Sequence, residues 1–67
     1  MSNFSKMLKN ERINKGFSLR KLSQMSGIPA TTIHAYERGI NPTIDKANKL
    51  LKVLGITIIL GKVTDDA

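Results

Sequence analysis

The 67-residue chain contains no cysteine, so neither a disulfide framework nor a thiolate metal site is available to brace it. It is also short of the groups that catalysis uses. There are five carboxylates and one histidine, and no pair has the spacing of a nucleophile with its base or of metal ligands. No glycine-rich stretch has the form that cradles a phosphate. An enzyme, a bound cofactor and a metal site are therefore not expected. Long hydrophobic runs are missing as well. The longest, Ile56 to Leu60, is interrupted by Thr57, whereas a bilayer span needs about 20 apolar residues. The opening MSNFSKMLKN is polar and lacks the apolar core of a secretory signal. A cytoplasmic protein without a membrane partner is the expectation.

What the chain does have is positive charge. The formal net charge is +6 and the pI about 10.1. Residues 1–55 hold ten Lys and Arg against Glu11, Glu37 and Asp45, while residues 56–67 hold Lys62 against Asp65 and Asp66. Such an excess either keeps a small protein soluble or draws it to a polyanion such as nucleic acid. The length allows one domain, residues 1–67, with no separate linker or effector domain. A chain of this size buries only about 60% of its extended surface, so association with a second copy is a natural source of stability.

The most structured stretch runs from Ser18 to Gly39, SLRKLSQMSGIPATTIHAYERG. Ser18 suits the N-cap of a helix, because its hydroxyl oxygen accepts an orphan amide of the first turn. Leu19, Leu22 and Met25 follow at three-residue steps and read as a core-facing side. Gly27 is placed to stop that helix, and Pro29 to open the next. Thr31 to Arg38 resumes helical spacing, with Ile33 and Tyr36 inward and Thr31, Thr32, His34 and Ala35 toward solvent. Gly39 closes it.

This segment resembles the helix-turn-helix of the Cro/repressor-type regulators, the XRE family. The residues that carry the likeness are Ser18, Leu22-Ser23, Ser26-Gly27-Ile28, Thr32-Ile33 and Tyr36-Glu37-Arg38-Gly39, then Pro42, Leu50 and Leu54-Gly55, with Arg12 upstream. The resemblance implies a mostly α fold: a four-helix, lambda-repressor-like DNA-binding domain with its helix-turn-helix at about residues 18–39. It also implies a double-stranded DNA partner and a bacterial or phage-encoded, nucleoid-associated regulator.

Around this unit, residues 3–15 read as a first helix with Phe4, Met7 and Leu8 inward, ended by Gly16. Arg12 falls on the apolar side, and the resemblance supplies Glu37 as its partner in a structural ion pair. The alternative is two unrelated surface charges, worth little. Thr43 can cap a fourth helix in which Ile44, Ala47, Leu50, Leu51 and Leu54 face the core and Gly55 is the stop. The β-branched run that follows favours a strand at about residues 56–63. Ile56, Thr57, Ile58, Ile59 and Leu60 would pair with the same strand of a second molecule across a twofold axis, giving a homodimer. That ending is similar to Cro-like proteins and to some antitoxins.

Carried over position by position, the family's base-facing side falls on Ala30, Thr31, His34 and Ala35. Glutamines are common in the family at the positions of Ala30, Thr31 and Ala35, so bidentate adenine readers are absent here. The alanines and the threonine methyl suit thymine methyls, and the Thr31 hydroxyl suits a base edge. His34 is either a contact to guanine or phosphate, or an ordinary exposed histidine. Phosphate contacts fall on Ser18, Leu19, Thr32, Arg38, Asn41 and Lys46. Leu19 stands where the family often has a glutamine, which removes a side-chain contact. A homodimeric repressor on a palindromic operator is the leading expectation. The alternatives are an antitoxin that binds both DNA and a toxin, and a protein-binding module that has lost DNA recognition.

Overall fold

A computed structural model describes residues 3–56. Four helices follow one another in the order α1 (Asn3–Asn14), α2 (Leu19–Ser26), α3 (Ala30–Glu37) and α4 (Ile44–Val53). There is no strand among the described residues. α3 packs against both α1 and α2, and α2 packs in turn against α4. Each helix of the central unit is thus held by an outer helix as well as by the other.

Local chemistry sets the boundaries. The Lys21 amide donates to the Ser18 hydroxyl oxygen at 3.0 Å, and the Lys46 amide to Thr43 Oγ1 at 3.3 Å, so α2 and α4 both start on a side-chain cap. α2 ends at Gly27, whose φ of 79° is left-handed and whose amide donates to the Ser23 carbonyl at 2.9 Å. A Cβ there would meet no neighbouring atom within 4 Å, so glycine is required by its backbone and not by crowding. The turn continues with the Ile28 amide bonded to Ser26 Oγ at 3.2 Å. Pro29 then takes the N-cap position of α3, and its carbonyl accepts the Ile33 amide at 3.0 Å.

Leu8, Leu22, Ile28, Ile33, Tyr36, Leu50 and Leu54 form the buried cluster, with Phe4, Phe17, Leu19, Val53 and Ile56 packed against it. Burying a large apolar side chain is worth about 1.5–3 kcal/mol. Every helix contributes at least one member, so none of the four can leave without opening the same core.

Two side chains expected in the core are outside it. Met25 is 48% exposed and Ile44 is 55% exposed. Three-residue steps fall short of a full helical turn, so Leu19, Leu22 and Met25 walk about 120° around α2. Leu19 is half-buried, Leu22 is buried and Met25 has rotated out to solvent. Ile44 has the right phase but the wrong height: the whole first turn of α4, residues 43–46, is exposed and stands clear of the core.

Ile56 has a role within the chain. Its amide donates to the Leu51 carbonyl at 2.8 Å while the Gly55 amide donates to Lys52 at 3.1 Å, the paired bonds that terminate a helix through a left-handed glycine. Its side chain then packs on the core. The remainder of the expected strand and interface, Thr57, Ile58, Ile59 and Leu60 onward, lies outside the described residues.

Candidate nucleic-acid interface

α3 is eight residues long, and an α-helix with its side chains is about 10–12 Å across, a diameter that fits the width of a B-DNA major groove at about 12 Å. Its inner side is Ile33, Tyr36 and Glu37, all buried. Thr31, His34 and Arg38 are exposed, and Ala30, Thr32 and Ala35 half-buried. Thr31, His34, Ala35 and Arg38 recur at three- and four-residue steps and so share one outward side. The side offers methyl groups, one hydroxyl, one imidazole and a terminal guanidinium.

The other sequence-derived positions fall into two groups. Ser18 and Leu19 begin α2. The Ser18 oxygen is engaged by the Lys21 amide, and a hydroxyl in that position still has its own proton to donate. The Leu19 side chain packs on the core, so toward a phosphate it offers only its first-turn amide. Asn41 lies in the α3–α4 loop and Lys46 in the first turn of α4, both exposed. Ile56, grouped from sequence with the dimer interface, is partly buried against the chain's own core.

The setting of α3 depends on Arg12 and Glu37. Arg12 Nε donates to Glu37 Oε2 at 2.6 Å and Nη2 to Oε1 at 3.1 Å, while Nη1 donates to the Phe17 carbonyl at 2.8 Å. The two side chains are 13% and 4% exposed. One guanidinium therefore ties α1, the α1–α2 loop and the end of α3. Its planar fork makes this possible, and a lysine, a point charge on a flexible stem, could not reproduce it. The pair also withdraws Glu37 from any approaching polyanion. Of the exposed charges in the described residues, Lys6, Lys9, Lys15, Arg20, Lys21, Arg38, Lys46, Lys49 and Lys52 are positive and Asp45 is negative.

Sequence reasoning missed two members of this assembly: the Phe17 carbonyl and Ser5. Ser5 is fully buried and donates from Oγ to the Tyr36 carbonyl at 2.6 Å. A signal was present, since Ser5 precedes Leu8 by three residues and Arg12 by seven and so shares their buried stripe. A main-chain acceptor such as the Phe17 carbonyl leaves no mark in the side-chain sequence.

Among the described residues no group of three or more His, Cys, Asp or Glu could hold a metal ion. No described helix is long and apolar enough to cross a membrane.

Compared with known proteins, residues 8–60 match the family model described as helix-turn-helix. A 56-residue stretch, 82% of the chain, is 39% identical to a protein of Aeropyrum pernix provisionally named as an HTH-type transcriptional regulatory protein. The match covers 17% of that relative's length, so the chain spans about a sixth of it. No solved structure matches the chain.

Proposed function

The chain belongs to the XRE-type helix-turn-helix family, a family of DNA-binding transcriptional regulators and not of enzymes, and from that premise we propose that it acts as a homodimeric repressor on a palindromic operator. The observation that carries this reading is the outward side of α3, free of acidic groups and flanked by Arg38, on a helix whose one carboxylate is buried and paired. In this reading Ala30, Thr31, His34 and Ala35 meet base edges in the major groove. Thr31 reads through its hydroxyl and methyl, and the alanines through contact with thymine methyls. Ser18, Thr32, Arg38, Asn41, Lys46 and the Leu19 amide hold phosphates and set the register. Two copies, joined through residues 56–63 of a single domain spanning residues 1–67, present their recognition helices about 34 Å apart, one turn of the duplex.

Selection from random duplexes, followed by gel shifts at two salt concentrations, tests it. The expected product is an inverted repeat with half-sites about 10 base pairs apart, bound less tightly as salt rises. Recovery of no preferred sequence and no salt-dependent binding would sink the reading in favour of a protein-binding module.

A second reading, an antitoxin that also holds a toxin protein, is supported by exposed apolar side chains that a polyanion does not reward. Ile13, Met25, Ile40 and Ile44 are each about half exposed or more. Copurification of an untagged partner of fixed stoichiometry from the native host distinguishes it from the repressor acting alone.

A further inference from the structure

α1 holds the end of α3 at two successive residues. Ser5 donates to the Tyr36 carbonyl and Arg12 to the Glu37 carboxylate. The two α1 residues are seven apart, two helical turns, or about 10 Å along the axis. The Tyr36 carbonyl also accepts the Gly39 amide at 3.1 Å, so the same oxygen terminates α3 and docks it. The ion pair alone anchors α3 through a flexible side chain. The Ser5 bond differs in kind, because it grips the backbone of α3, and a second attachment, reaching α3 from two turns away on α1, restrains its roll about the helix axis.

We propose that Ser5 is a positioning residue for DNA recognition: its buried bond to the Tyr36 carbonyl fixes the roll of α3 and thereby the aim of Thr31 and His34. This rests on the DNA-reading function proposed above. With side-chain tips about 5–6 Å from the helix axis, a roll of about 10° moves them by about 1 Å. Polar recognition tolerates about 0.5 Å. Phosphate contacts are less sensitive, since they come in part from long side chains and from elements other than α3. Loss of the Ser5 bond therefore weakens sequence-specific binding and leaves non-specific binding in place.

The test uses the full chain, its selected duplex and a scrambled duplex of equal length. Ser5→Ala and the somewhat larger Ser5→Cys are assayed at a temperature where circular dichroism shows each folded. Leu54→Val, a core truncation at the C-cap of α4, serves as the control for simple loosening. Both Ser5 variants should lose about tenfold on the selected duplex and less than twofold on the scrambled one, with the salt slope unchanged. Leu54→Val should leave the ratio of the two affinities where it was. Equal losses on both duplexes, no loss on either, or the same change of ratio in Leu54→Val overturns the proposal. If Ser5→Ala does not fold, Ser5→Cys decides, since its thiol still fills the site but is a much weaker donor. A wild-type chain that binds both duplexes alike overturns the function reading and this inference with it. Discrimination by the wild type that Ser5→Ala retains in full overturns this inference alone.

Discussion

At its C-terminal end α3 is buried and tied: Tyr36 and Glu37 lie inside, bonded to Ser5 and Arg12 across a sequence separation of 31 and 25 residues. At its N-terminal end it is open, with Thr31 exposed, no side-chain cap from Pro29, and short side chains on the outward side. The neighbouring helices, by contrast, both begin on a hydroxyl cap. The difference teaches where precision comes from in so small a domain. Groups that meet a partner must not already be bonded within the chain. Their placement must then be set by other residues further along the same rigid helix. Eight residues are short enough for a constraint at one end to fix the other.

The largest effect should come from breaking the tied end. Glu37→Ala leaves the Arg12 guanidinium 13% exposed without its counter-ion, a situation that costs about 3–5 kcal/mol. Total stabilities are about 5–15 kcal/mol, so urea titration should find the variant largely unfolded or close to it. The double variant Arg12→Met with Glu37→Leu should recover much of the loss, because no buried charge is then stranded. A Glu37→Ala chain with an unchanged midpoint means the pair does not hold α3.

Substitutions at the open end should behave in the opposite way. Thr31→Ala is expected to change stability by less than about 0.5 kcal/mol while shifting preference at one base pair by about 1–3 kcal/mol. Arg38→Ala should weaken every sequence alike and lower the salt slope by about one. Competition gel shifts on single-base variants of the operator separate the two; identical profiles would merge the roles assigned to Thr31 and Arg38.

Smaller effects sharpen the contrast between capped and uncapped helices. Ser18→Ala removes the acceptor of the Lys21 amide and should cost about 1 kcal/mol by thermal or urea unfolding. Smallest of all, Met25→Gln on the exposed side of α2 should stay within about 0.5 kcal/mol, whereas Leu22→Ala on its buried side should cost about 2–5 kcal/mol. A large loss in Met25→Gln would place that side chain in an interface.

Much of the helix arrangement was legible because its signals are local. Ser18 and Thr43 accept amides three residues on, and the Gly27 amide donates to a carbonyl four residues back, so spacing alone locates them. Leu8, Leu22, Ile33, Leu50 and Leu54 could be picked out by helical phase. Phase misled at Met25, where a three-residue step drifts off the face, and at Ile44, where the helix outruns the body it packs on. The Arg12–Glu37 contact was suggested by family likeness and not by pattern, since nothing in the spacing of residues 12 and 37 marks them as neighbours. Ser5 carried the right phase, but a serine on a surface-bound helix is ordinarily a solvent residue.

The amino-acid sequence by itself determined the caps, the glycine stops, the basic surface and the methyl-rich side of α3, because each follows from bonds or periodicities a few residues long. Only the tertiary structure decided how α3 is clamped: that one guanidinium also reaches the Phe17 carbonyl, and that the Ser5 hydroxyl meets the Tyr36 backbone. Those contacts span five and 31 residues, and their acceptors are main-chain oxygens that every residue has. Side-chain identity cannot mark them; packing three helices around a shared core does.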